Sequence, residues 1–73
     1  MRYFFHLEGL RDVLQDETGE EFLSIEEARA HAVDVAKELA RNRRDRVGVG
    51  QRLLVTDVRG DALFCVPLLL GHV

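Results

Sequence analysis

One amphipathic helix pattern lies in the middle of this chain, and strand-like segments flank it on both sides. Ser24 followed by Glu27 is typical of a capping box at a helix start. Arginines near residue 43 would complement the dipole at the other end, so we predict a helix from about Ile25 to Arg43. Its apolar face repeats at three- and four-residue spacing and comprises Ile25, Ala28, Ala32, Val35, Ala36 and Leu39. A single helix covers only one face of a sheet.

The flanking segments predict antiparallel strands. Residues 2–8 are aromatic and apolar on both sides, which favours a central strand. Asp-x-x-Gly recurs at 16–19 and at 57–60, and this spacing is typical of tight hairpin turns. The predicted hairpins join residues 11–15 to 20–23 and residues 52–57 to 61–67. The fold class is therefore α+β, in the order β-β-β-α-β-β, with the helix packed on one face of the sheet.

The second face of the sheet is expected to be apolar. If the helix meets the side of the sheet that carries Phe5 and Val55, with Leu7 and Phe64, then alternation places Phe4 and Leu54 opposite. A contiguous apolar patch is rare on soluble monomers. A second copy related by a two-fold axis would cover it most simply. We therefore predict a homodimer, with an unidentified protein partner as a further option; the predicted interface comprises Phe4, Leu54, Leu68, Leu69 and Leu70.

The C-terminal tail leaves one alternative open. Residues 64–70 are apolar at nearly every position, so a strand there would have apolar side chains on both faces. Instead of meeting a second copy, the leucines of the tail would then fold back over their own sheet.

Metal-binding and catalytic patterns are not found in the sequence. His6, His31, His72 and Cys65 do not follow the spacing of a metal site. We expect His31 to pair with Glu27 on the solvent side of the helix. Cys65 lies in an apolar run, and a thiol in apolar surroundings behaves as a small hydrophobic side chain and not as a nucleophile. We therefore predict no cofactor, no metal, no catalytic residue and no enzymatic activity.

A basic cluster follows the helix and comprises Arg41, Arg43, Arg44 and Arg46. Such a cluster can neutralise phosphates, so a nucleic-acid-associated regulator is the alternative function. The net charge of −3 opposes attraction to phosphate, and no aromatic residue for base stacking lies beside the cluster. We expect these arginines to be solvated.

Size and cysteine content set the remaining expectations. A chain of 73 residues forms one small domain, and its single cysteine excludes an internal disulfide. The longest apolar stretch, residues 62–70, is far shorter than the ~20 residues that span a bilayer. We expect a cytoplasmic protein without a membrane segment.

Several short motifs together resemble a known family. The chain resembles the domain of unknown function 6894 family of small bacterial proteins. The resemblance rests on residues 2–7, the Asp16–Glu21 turn, the Ala28–Ala32 helix segment, the Val55–Gly60 hairpin and Val66 followed by Pro67. This resemblance implies the fold and supplies no activity.

Ser24–Ala28 also resembles the capped helix start of HicB-type antitoxin domains, although the Pro-Asp-x-Pro-Gly segment expected before it is missing. This second likeness is at the level of the fold.

Overall fold

The computed structural model describes residues 1–9, 11–42 and 51–68. Their elements confirm the α+β class, with one helix beside an antiparallel sheet. In chain order they are β1 (Arg2–Glu8), β2 (Val13–Leu14), β3 (Glu20–Glu21), α1 (Ile25–Asn42), β4 (Arg52–Thr56) and β5 (Ala62–Pro67). The helix begins where the sequence predicts, and its predicted end at Arg43 lies outside the described residues.

The sheet has the strand order β2-β1-β4-β5, with β3 also paired to β1. The predicted central position of β1 is confirmed, because it pairs with β4 on one side and with β2 and β3 on the other. The second predicted hairpin is also confirmed, since β4 pairs antiparallel with β5. In its turn, the carboxylate of Asp57 accepts hydrogen bonds from the backbone N–H groups of Arg59 and Asp61.

The first predicted hairpin is wrong. The strands β2 and β3 both pair with β1, where Leu14 lies opposite Leu7 and Glu20 lies opposite Tyr3. They are two short pieces of one interrupted edge strand, and the predicted segments 11–15 and 20–23 contract to two residues each. The physical reason is that β1 offers a long unpaired edge, to which both pieces pair, while the turn between them interrupts the ladder and the Asp16 carboxylate bonds to the Phe5 N–H instead.

The core lies between α1 and one face of the sheet. Ala28, Ala32 and Ala36 are buried against Leu53 and Val55, because small side chains let the helix approach the sheet closely. Further members of this core are Tyr3 and Leu68, with Phe5, Leu7, Phe22, Val35, Leu39, Phe64 and Val66 partly buried around it. The predicted inward set is therefore confirmed, except that Ile25 is half-buried outside this cluster.

The capping box at the helix start is present. The Ser24 hydroxyl accepts a hydrogen bond from the Glu27 N–H at 3.2 Å, and the Glu27 carboxylate accepts one from the Leu23 N–H at 3.1 Å. The first contact satisfies a backbone donor that the first turn of a helix leaves unpaired, and the second ties the chain before the helix to that turn. The helix α1 has no apolar stretch long enough to cross a membrane.

Candidate functional site

The face of the sheet opposite α1 is the surface that stands out on this chain. Within the described ranges, the helix packs on the other face and no second layer covers this one. We call it the open face; alternation along the strands assigns to it Phe4, His6, Leu54, Thr56 and Cys65. Phe4 and Leu54 are half-buried and Cys65 is exposed. The open face is thus mainly apolar, with one imidazole among its apolar side chains.

His6 is held in one orientation at the centre of the open face. Its Nδ1 accepts a hydrogen bond from the backbone N–H of Asp16 at 3.1 Å, so Nδ1 carries no proton. We infer that the ring proton lies on Nε2, which is 3.0 Å from the Thr56 hydroxyl oxygen. The ring lies nearly parallel to that of Phe4, with their centroids 6.5 Å apart. These contacts make the centre of the open face well ordered.

The carboxylate of Asp16 joins the interrupted edge to β1. One oxygen accepts from the Phe5 N–H at 3.1 Å, and the other accepts from the N–H groups of Thr18 and Gly19. Partial burial raises the pKa of this carboxyl, but the hydrogen bonds from Gly19, Phe5 and Thr18 outweigh burial, and the pKa of Asp16 lies below its ordinary value. The charged form therefore stabilises the fold.

Replacing Asp16 with Asn tests this charge. Asp16→Asn is expected to lower the free energy of unfolding by about 1–2 kcal/mol at pH 7, because an NH2 group would face the Phe5 N–H. The folded pKa is lower than the unfolded one, so the wild type holds this stabilisation above about pH 4 and loses it as the pH falls through the folded pKa. Urea unfolding at pH 7 and pH 3 measures the free energy of unfolding of both proteins. The difference between the wild type and Asp16→Asn should be smaller at pH 3.

Asp12→Asn is the matched control for this prediction. Asp12 is exposed, and its side chain makes no hydrogen bond to the residues that the structure describes. Its substitution should change the free energy of unfolding by less than about 0.5 kcal/mol. If Asp16→Asn lowered the free energy of unfolding equally at pH 7 and pH 3, that result would contradict a role for the charge.

The predicted dimer-interface residues separate into three groups. Phe4 and Leu54 lie on the open face, as expected from alternation. Leu68 is 6% exposed and belongs to the chain's own core, so its predicted place on the uncovered face is wrong. Its N–H donates to the Gln51 carbonyl, which extends the ladder and turns Leu68 to the side of Val66. Leu69 and Leu70 lie outside the described residues.

The basic cluster is described only at its first member. The guanidinium of Arg41 lies 3.4 Å from the carboxylate of Glu38, in an exposed ion pair on α1. The other predicted phosphate-binding residues, Arg43, Arg44 and Arg46, lie outside the described residues. Among the described residues, the geometry therefore gives the nucleic-acid alternative no support.

Two of the remaining candidate side chains differ from their predicted surroundings. The Nε2 of His31 lies 3.1 Å from the Glu20 carboxylate, not beside Glu27, and the ring packs against Phe5 and Phe22. Glu27 is already engaged in the helix cap. Cys65 is exposed on the edge strand rather than enclosed in apolar surroundings. Among the described residues, no three His, Cys, Asp or Glu side chains are grouped so that they could hold a metal ion.

Sequence reasoning missed two contacts. The bond from Asp16 to His6 links a turn to a strand, and the local Asp-x-x-Gly signal does not contain that information. The guanidinium of Arg29 lies over the Phe64 ring, 4.4 Å from its centroid, and joins α1 to β5. By contrast, the inward position of Leu68 could have been predicted from the sequence, because Leu68 continues the alternation of Phe64 and Val66.

Comparison with known protein families shows which family this chain matches. The model of the family described as Domain of unknown function (DUF6894) matches residues 2–69, which include every strand and the helix. The chain belongs to the DUF6894 family. The comparison with curated proteins and the comparison with solved structures each found no match. For this DUF6894 chain, the resemblance noted from the turn and strand motifs is confirmed, and the family description assigns no activity.

Proposed function

We propose that this DUF6894 chain is a non-enzymatic interaction module that forms a homodimer, and that the open face is where the second copy packs. The observation that carries the proposal is the open face itself. Phe4 and Leu54 occupy neighbouring central strands there, both are half-buried, and no described helix or strand packs over them. An apolar surface of this kind on a small soluble domain is typical of a contact site.

The size of the open face supports a second copy as its occupant. The chain extends 33 Å and 24 Å along its two longest axes, so a second copy that covered most of this broad side, with the open face at its centre, would contact an area of about 800 Å². A stable interface buries roughly 800 Å² on each partner. In a two-fold contact, both chains use the same residues. The open face of one copy would therefore pack on the open face of the other, and no second surface of different charge is needed.

The composition of the open face also suits self-association. Its centre carries no carboxylate, ammonium or guanidinium group. The imidazole there, His6, accepts a hydrogen bond at Nδ1, and its Nε2 faces the Thr56 hydroxyl. The charges lie at its margin, where Arg52 and Glu8 form an ion pair at 2.9 Å. An apolar centre with a polar rim is typical of protein–protein interfaces.

Replacing Leu54 with Asp tests the proposal. Sedimentation equilibrium of the wild type in the micromolar range should give twice the 8.3 kDa chain mass. Leu54→Asp should raise the dimer dissociation constant roughly 100-fold or more, because it places a carboxylate at the centre of the contact. The variant should therefore sediment as a monomer.

Leu23→Asp is the matched control, since Leu23 is 92% exposed and lies in the bend between β3 and α1, outside the strands that carry Phe4 and Leu54. It carries the same substitution and should leave the dimer intact. A wild-type mass of 8.3 kDa at all concentrations would contradict the proposal, and so would equal shifts in the two variants.

A further inference from the structure

The two edges of the sheet differ in how they are protected. On one edge, β2 and β3 have two residues each, a turn separates them, and β3 consists of Glu20 and Glu21. Short, interrupted and charged edges resist pairing with other chains. On the other edge, β5 has six residues, Ala62–Pro67, and none of them is charged. Of the two sheet edges formed by the described residues, the edge of β5 is the one suited to accept a further strand.

The unpaired backbone groups of this edge follow from the ladder. The Leu68 N–H donates to the carbonyl of Gln51, the residue before β4. Val66 and Phe64 lie two and four positions before Leu68, so their backbone groups also point toward β4. Antiparallel ladders alternate, so Cys65 and Pro67 direct their backbone groups away from β4. Cys65 therefore offers both an N–H and a carbonyl, whereas Pro67 offers only a carbonyl. Within the described ranges, no strand pairs with this side of β5.

A positive charge lies beside this edge on the helix side of the sheet. The guanidinium of Arg29 is 4.4 Å from the centroid of the Phe64 ring and makes no ion pair with the residues that the structure describes. A strand added to β5 would lie about 5 Å further out. A carboxylate on the helix side of that strand would come within reach of Arg29.

We propose that the edge of β5 binds an extended, acidic segment of another protein, which adds a strand to the sheet. The backbone of the segment pairs with Cys65 and Pro67, and one of its carboxylates contacts Arg29. This is recognition by β-strand addition, in which backbone bonds supply affinity and side chains supply selectivity.

A second copy of β5 fits this edge less well than an acidic segment. Two-fold pairing of β5 strands keeps both helices on one side of the joined sheet and brings the two Arg29 side chains to that same side. Like charges there oppose the contact, whereas a carboxylate neutralises Arg29. The proposal is independent of the homodimer, because packing on the open face leaves the edge of β5 free.

Titration with a designed peptide tests the proposal. The probe is the blocked heptapeptide Thr-Val-Thr-Glu-Thr-Val-Thr, which carries Glu between two Val residues on one face. It is added to the 15N-labelled full chain and, separately, to Leu54→Asp. In both proteins, the amide chemical shifts of Cys65 and its neighbours should change and reach saturation. Because Leu54→Asp is expected to be a monomer, binding to this variant would show that the edge of β5 acts independently of the dimer.

Two controls assign the binding to charge and backbone. Replacing the peptide Glu with Gln should weaken binding by up to about fivefold, the upper limit for an exposed ion pair, and Arg29→Gln should remove this difference. The fully N-methylated peptide keeps the side chains and donates no backbone hydrogen bond, so it should not bind. This second control requires no change to the protein and avoids any loss of folding.

Three results would overturn the proposal. The first is an absence of shifts in β5 with millimolar peptide. The second is equal binding of the N-methylated peptide. The third is a change of the β5 amides with the concentration of peptide-free Leu54→Asp, since a second copy would then occupy the edge.

Discussion

Leu53→Ala is expected to lower the free energy of unfolding by about 2–5 kcal/mol, because it removes a side chain that packing holds between the sheet and α1. Leu53 is 2% exposed and is one of the two largest fully buried side chains among the described residues. A domain of this size has a total stability of only ~5 kcal/mol, so the variant should be largely unfolded near 37 °C. Urea unfolding followed by circular dichroism measures the loss.

Leu23→Ala provides the comparison with the same change of side chain. Leu23 is 92% exposed, so its truncation should alter the free energy of unfolding by less than about 0.5 kcal/mol. Equal losses in the two variants would contradict a core centred on β4 and α1.

Gly19→Ala is expected to cost about 3 kcal/mol of unfolding free energy, from two additive causes. Gly19 has a φ of +73°, a conformation that costs an L residue about 1–2 kcal/mol. A Cβ there would also lie 2.8 Å from the Tyr3 carbonyl oxygen and 2.9 Å from the Phe4 ring, so β1 would have to move. Because Phe4 lies on the open face, we also expect this variant to weaken the proposed dimer.

Gly60→Ala separates the two causes. Gly60 has a similar φ of +86° in the other Asp-x-x-Gly turn, but a Cβ there would meet nothing within 4 Å. It should cost about 1 kcal/mol, from the backbone conformation alone. Thermal unfolding of both variants measures the difference, and losses of equal size would show that the contact with β1 does not matter.

The helix was predictable because its signals are local. The Ser24 and Glu27 cap forms within four residues, and the apolar repeat directs Ala28, Ala32 and Ala36 to one side whatever lies there. Alternation was equally informative for β4, where Leu53 and Val55 face the core and Leu54 does not. These features depend on neighbours in sequence rather than on distant contacts.

The two Asp-x-x-Gly turns show where local information ends. Both form, with a carboxylate accepting backbone N–H groups and a glycine at positive φ. The turn after β4 closes a hairpin, whereas the turn at Asp16 joins two strands that do not pair with each other. The difference arises because the unpaired edge of β1 competes for both strands, and the Asp16 carboxylate bonds to the Phe5 N–H.

By itself the sequence determined the helix with its cap, the two turns and the inward alternation of the strands, because each depends on residues within a few positions of one another. Only the tertiary structure decided that β3 pairs with β1, that Asp16 contacts His6, and that Arg29 lies over Phe64 beside an edge with which no described strand pairs. These three outcomes join residues that are 10 or more positions apart. They depend on which of several competing contacts satisfies the backbone and buries the most apolar surface, and that competition is settled by the whole chain at once.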